Sequence, residues 1–403
     1  LQSPNGNSNL AMTIYLDNSA TTQVRQEVID AMLPYLSQHW GNPSSVHTLG
    51  KNAKAAVDAA REQVALLLNC KSEEISFTAC GTNSNNVALL GRARFLAANN
   101  AGKHLITSQI EHPSVFGPAK YLESQGWSVT YLPVNREGFV DSKQLQSAIT
   151  PQTSMISIVW ANNEIGTVQR IEELAKLAQD REIYFHTDAV QVPGKLAMDL
   201  AKVPISALSL SAHKFYAPKG VGVSFLRSGT NVMPIEFGGG QEKGLFPGTE
   251  SVANIVAVGK AAELARIELS AAQEKLIVMQ THLWKELAKL PQIKFTGALD
   301  LKHRLPGHVS FIVEGAQGES LVLRCDLQGL CVSSGSACHQ GIIEPSHVLK
   351  AIGLGGPEGL GSLRVSFGKG NTMEECKIAT HKLTDIVLSM TKQPGARSEV
   401  APA

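Results

Sequence analysis

The stretch Ser209-Leu-Ser-Ala-His-Lys-Phe-Tyr-Ala-Pro-Lys-Gly220 decides how this chain is read. The apolar run from Ile205 to Leu210 has the length and composition of a buried strand. It stops in a polar turn holding Ser211, His213 and Lys214, and a second apolar run, Val221 to Leu226, follows. Upstream, Thr187-Asp188 closes another short apolar segment. A lone lysine in a polar loop is most simply a surface charge. The groups around Lys214 make a different reading necessary.

Outward from this stretch, strand and helix patterns alternate. Short apolar strands are expected at Ile75–Thr78, His104–Thr107, Val129–Val134, Met155–Trp160, Ile183–His186, Leu208–Leu210 and Val221–Leu226. Helical spacing marks Val24–Gln38, Lys51–Leu68, the run from Gly81 to Ala97, Pro113–Ser124 and Ile171–Arg181. Ala53, Ala56, Val57, Ala60, Val64 and Leu67 share one helical face. The alternation predicts an α/β fold, a mostly parallel sheet flanked by helices. A long amphipathic run at about 253–290 would lead into a smaller α+β domain. The expected division is a Ser/Asn-rich extension or scar (1–11), an N-terminal segment packing on the small domain (12–26), a large domain (27–262), a small C-terminal domain (263–390) and a disordered tail (391–403).

Ligands of such sheets gather at the carboxyl ends of strands, and the polar residues cluster there. Gly81, Thr82 and Asn83 follow the first strand, where free N–H groups of a starting helix suit a phosphate. Glu111-His112, Asn162-Asn163-Glu164, Asp188 with Gln191, and Ser211-His213-Lys214 follow later strands. Each cluster alone reads as a cap, a turn or a salt-bridged acid; five at successive strand ends do not. A strand-end lysine forms a Schiff base and a nearby carboxylate holds a pyridinium nitrogen, the pairing that binds pyridoxal phosphate.

The 403 residues carry a formal net charge of +1, which gives no reason to expect nucleic acid or an anionic membrane surface as a partner. No apolar run approaches the ~20 residues of a spanning helix. The six cysteines, Cys70, Cys80, Cys325, Cys331, Cys338 and Cys376, include no C-x-x-C pair, which fits a reducing cytoplasm rather than a disulfide framework. Cys338 stands apart, among small residues from Ser333 to Ala337 and before Gly341, in a segment expected to be accessible. No metal site is expected: Cys338, His339 and His347 have no familiar ligand spacing.

Several longer motifs resemble those of the cysteine desulfurases, fold-type-I pyridoxal-phosphate enzymes related to class-V aminotransferases. They are Tyr15-Leu-Asp-Asn-Ser-Ala-Thr-Thr22, Gly41-Asn-Pro-Ser-Ser45, Ala161-Asn-Asn-Glu-Ile-Gly166, His186-Thr-Asp-Ala189, Ser211-Ala-His-Lys214, Gly238-Gly-Gly-Gln-Glu242, Ser334-Gly-Ser-Ala-Cys338 and Glu344-Pro-Ser-His-Val-Leu349. The resemblance runs from about Ile14 to Leu388 and points to the subgroup with the longer, mobile cysteine loop. It implies a fold-type-I architecture and conversion of L-cysteine to L-alanine, with sulfur passed to Cys338 as a persulfide. It also implies a cytoplasmic homodimer that delivers sulfur to an acceptor protein such as an iron–sulfur scaffold.

Carried over residue by residue, the resemblance makes Lys214 the Schiff-base lysine and Asp188 the partner of the ring nitrogen. Asn162 and Gln191 would bond near the phenolic oxygen, Asn162 also meeting substrate, and His112 would stack on the ring and assist proton transfer. Gly81, Thr82, Ser211 and His213 would cradle the phosphate, with Thr249 contributed by the neighbouring subunit. Arg364 would clamp the substrate carboxylate through two parallel donors, and Cys338 would attack the sulfur as thiolate. Asn83, Phe246 and His339 stand where the family usually carries Glu, Arg, and Ser or Thr. Three other readings share parts of this set: a class-V aminotransferase acting on serine or alanine, a selenocysteine lyase using L-selenocysteine, and a non-catalytic scaffold that keeps the fold.

Overall fold

A computed structural model describes residues 13–339 and 342–391. The expectations for residues 1–11 and for the tail beyond 391 lie outside these residues. Strands β1 (Ile14–Tyr15), β2 (Ile75–Thr78), β3 (His104–Ser108), β4 (Ser128–Leu132), β5 (Thr153–Ser157), β6 (Tyr184–Asp188), β7 (Ala207–Ser211) and β8 (Gly222–Leu226) come first. They are followed by β9 (Ile293–Phe295), β10 (His308–Val313), β11 (Leu330–Cys331), β12 (Ser336–His339), β13 (Ile342–Pro345) and β14 (Ser362–Ser366).

Seven strands form the central sheet in the order β2-β8-β7-β6-β5-β3-β4. Strands β4, β3, β5, β6 and β7 run parallel to one another, and β8 runs antiparallel to both β7 and β2. Every residue of β3, β6 and β7 is buried, as expected where helices cover both faces. The Thr48–Leu68 helix buries Ala53, Val57, Ala60, Val64 and Leu67, the face its spacing predicts.

Two stretches read as single helices are broken. Val24–Gln38 is split into Gln26–Met32 and Pro34–Ser37, because Pro34 has no N–H to continue the ladder. The run at 253–290 is two helices, Val252–Ile267 and Leu269–Leu287, with Glu268 between them. Leu264 packs in the core of the seven-stranded sheet and Leu276 in a second core built on β10 and β14. The changeover therefore falls at Glu268, and a boundary after residue 262 would cut the first helix.

The second core rests on the sheet β14-β10-β9, entirely antiparallel. Strand β1 pairs with β11, and Ile14 and Leu16 are fully buried in that core. The chain then runs from Asp17 to Thr22 across to the end of β7, where the Thr22 N–H donates to the His213 carbonyl at 2.9 Å. Strands β12 and β13 form a separate two-stranded antiparallel ladder in which Cys338 pairs with Ile343.

Candidate active site

A cavity of about 320 Å³ opens where β2, β3, β5, β6 and β7 end. Gly81, Thr82, His112, Asp188, Gln191, Ser211, His213 and Lys214 all line it. The strand ends thus bring together eight of the residues singled out in the sequence, from four separate loops.

At one wall the Asp188 carboxylate is buried and spoken for on both oxygens. Oδ1 accepts from the Val190 N–H at 3.0 Å, and Oδ2 accepts from Asn85 Nδ2 at 2.7 Å. The same Asn85 amide donates its second hydrogen to Ser114 Oγ at 2.8 Å. Ser114 Oγ lies 2.7 Å from His112 Nδ1, which also accepts from the Ser114 N–H at 3.1 Å. A backbone N–H can only donate, so Nδ1 is the acceptor and Nε2 carries the ring proton. Burial lowers the His112 imidazole, Asp188 pulls the other way, and Lys214 and His347 add to the lowering. One buried amide therefore couples the carboxylate to the imidazole. Asn85 Oδ1, at this wall, is buried with no partner among the described residues.

Lys214 Nζ donates to the carbonyls of Ser19 and Ala20, both at 2.7 Å. Burial brings its ammonium down to about 8, and the Arg364 charge pushes the same way. About a tenth of the population is then the neutral amine at pH 7, far more than for an ordinary lysine, and that is the form that attacks a carbonyl. Gln191 donates from Nε2 to the Ser19 carbonyl at 2.9 Å and accepts from Lys195 Nζ at 3.2 Å. Lys195 is itself brought to about 7, by burial first and then by Lys214 and Arg364. His213 meets Thr21 Oγ1 at 3.0 Å and is pushed to about 4, chiefly by burial.

The opposite end begins at Gly81, which opens a helical run continuing through a π-turn to Ala98. A Cβ on Gly81 would come within 3.0 Å of Val190 Cγ2 and 3.1 Å of Ser211 Cβ. Glycine thus leaves the backbone bare beside Ser211, Thr82 and the open N–H groups of the helix. The cavity therefore fits a flat ring with a phosphate at one end and a basic nitrogen at the other. Its acceptor carboxylate, anion-binding end and lysine match pyridoxal phosphate.

Three expected members stand elsewhere. Asn162 is buried, but its side chain is spent on backbone: Nδ2 donates to the Ile110 carbonyl in the loop after β3 at 2.9 Å, and Oδ1 accepts from Glu164 N and Ile165 N of its own turn. Asn163 is the asparagine that lines the cavity, so the assignment moves by one residue. Thr249 lines a second cavity with Phe77, Glu236 and Phe246, away from Lys214 of the same chain. Arg364 sits at the rim, its Nη1 donating to the Asn163 carbonyl at 3.1 Å and its Nη2 to Asp17 Oδ1 at 2.7 Å. Arg364 Nε is buried without a partner. Cys338 lies on β12, and its side chain falls outside the described atoms. No cluster of His, Cys, Asp and Glu able to hold a metal is present among the described residues.

Sequence reading gave no individual role to Asn85, Ser114, Asn163 or Asp17. Asp17 lies inside a motif already singled out, and Asn85 falls four residues after Gly81 on the helix. Neither has a spacing that separates it from an ordinary cap or salt bridge.

The family described as Aminotransferase class-V matches residues 14–378. A curated relative from Dictyoglomus turgidum, named cysteine desulfurase IscS, is 44% identical over 93% of this chain and 94% of its own length. Among solved structures, a NifS-like protein superimposes with TM-score 0.88 at 34% identity, covering 94% of this chain and all of the other. SspA in complex with cysteine superimposes with TM-score 0.78 at 34% identity, over 89% of this chain and all of its own.

Proposed function

The chain belongs to the class-V aminotransferase family, and from that membership together with the cavity we infer that it is a pyridoxal-phosphate-dependent cysteine desulfurase. The observation that carries this reading is the convergence of Lys214, Asp188 and His112 on one cavity of suitable size. No helix among the described residues is long and apolar enough to cross a membrane.

The bound cofactor would supply an electron sink for the bonds at the amino acid's Cα and Cβ. Asp188, fixed by Asn85 and the Val190 N–H, would hold the ring nitrogen, while the bare backbone at Gly81 with Thr82, Ser211 and His213 would hold the phosphate. Lys214 would secure the cofactor and, as an amine with its pKa lowered to about 8, would accept and return the Cα proton. His112, held as the Nε2–H tautomer, presents a proton donor at the cavity wall. Asn163 and Gln191 offer amide groups at the same wall, and Arg364 takes the substrate carboxylate.

Cys338 acts on sulfur. Its thiolate bonds to the sulfur of L-cysteine as the Cβ–S bond breaks. The electron pair returns to Cβ, which takes a proton and leaves as L-alanine. The two thiols thus become one persulfide and one methyl group, with no external oxidant. The persulfide then passes to an acceptor protein of the iron–sulfur assembly type.

Thr249, remote from Lys214 of its own chain, is suited to the site of a second copy, and we read the functional unit as a homodimer. The test is the mass of the Cys338 peptide after the cofactor-loaded protein meets L-cysteine without reductant. A gain of one sulfur is expected. An unmodified peptide despite turnover would turn the reading to an aminotransferase that does not use this thiol.

A further inference from the structure

The turn from Ala161 to Gly166 faces two ways. Asn163 lines the cavity, and its carbonyl receives Arg364. The next residue, Glu164, is not part of its lining, and its Oε2 accepts from Ser346 Oγ at 2.5 Å. Ser346 Oγ in turn accepts from the Leu349 N–H at 3.2 Å. A hydroxyl has one hydrogen, and here Glu164 takes it. The Ser346 N–H donates to the Gly335 carbonyl at 3.0 Å, and the Gly335 N–H donates to Ser362 Oγ at 2.9 Å.

Gly335 and Ser346 bracket the β12–β13 hairpin and are bonded to each other, so the carboxylate that takes the Ser346 hydroxyl holds one end directly and the other through Ser346. A Cβ on Gly335 would lie 3.3 Å from Glu164 Oε2, Leu349 Cδ1 and Ser362 Oγ. Next to Ser346, His347 Nε2 bonds the Glu111 carbonyl at 2.8 Å, one residue before His112. Burial pushes the Glu164 carboxyl up, while the Ser346 hydroxyl, His347 and Arg364 draw it back.

We propose that Glu164 is a positioning residue for sulfur transfer: by accepting the Ser346 hydroxyl it anchors both ends of the Cys338 hairpin to the turn that carries Asn163 and meets Arg364. The hairpin and the substrate-carboxylate site are then built on adjacent residues, 163 and 164. This role rests on the sulfur-transfer reading above.

Glu164→Ala and Ser346→Ala test it by two readouts in the cofactor-loaded protein. Hydrogen exchange at the Gly335 and Ser346 amides should quicken by about tenfold or more in both variants, because the hydrogen-bonded anchor is gone. L-Cysteine, titrated by cofactor absorbance, should bind within about threefold of the original protein, while persulfide formation on Cys338 slows by about tenfold or more. Glu164→Gln, whose amide oxygen still accepts from Ser346, should restore both. Unchanged exchange in both alanine variants overturns the positioning role by itself. Equal losses in Glu164→Gln and Glu164→Ala also overturn it, since charge rather than the anchor would then matter. An original protein that forms no persulfide overturns the sulfur-transfer reading instead.

Discussion

Asp188 and Lys214 stand at the ends of neighbouring strands in a seven-stranded sheet, whereas Cys338 rides on a ladder of two. Around Asp188 every bond runs to a residue fixed by the central core: Asn85 on the helix after β2, Val190 in the loop after β6. The hairpin belongs to neither larger sheet; a two-stranded ribbon is marginal by itself, and its described ends are held by bonds at Gly335 and Ser346. The difference follows the chemistry. Proton transfers at a bound ring need groups held to a few tenths of an ångström. A thiol that takes sulfur from one molecule and hands it to another must serve two places.

Substitutions that strike one region and spare the other break or sharpen this contrast. Lys214→Ala should have the largest effect, with loss of the covalent-cofactor absorbance and a fall in turnover on the order of 10⁴-fold or more. Alkylation of Cys338 in that variant should stay unchanged. Altered alkylation would mean the two regions are not separable. Cys338→Ala is the converse: absorbance and L-cysteine titration unchanged, no persulfide, and alanine release down by about 10³-fold.

Asn85→Ala tests the bridge inside the cavity. Removing a donor to a buried carboxylate should cost about 1.5–3 kcal/mol, roughly 10–100-fold in cofactor retention measured by dialysis. Arg364→Ala lies at the seam and should raise KM for L-cysteine by about 10–100-fold with a smaller change in kcat.

The smallest effect is on pH. Lys214 titrates at about 8, well below an ordinary lysine, and only its neutral form captures the cofactor. Capture by cofactor-free protein should therefore rise about tenfold per unit up to pH 8 and level off above it. Arg364 is the second cause of the lowering, so Arg364→Ala should move that break to higher pH. A rate that keeps rising to pH 10 in the original protein would show that Lys214 is not held near neutrality.

Much of this molecule was legible before folding. Strand β2 was read with the same ends the structure gives, and the other sheet strands to within a few residues, because runs buried on both faces are continuous and apolar. The eight strand-end residues around Lys214 were legible too, since a parallel sheet gathers its polar loops at one edge.

Tertiary structure alone decided the finer assignments. Asn162 and Asn163 are identical in type and adjacent, and only the backbone of their turn sends one side chain into the turn and leaves the other at the cavity. Asn85 meets Asp188 across 103 positions, and Glu164 meets Ser346 across 182. Periodicity along a chain records which face of a helix or strand is buried. Direction within a turn, and contact between distant turns, follow from how the elements pack, and no spacing in the sequence encodes them.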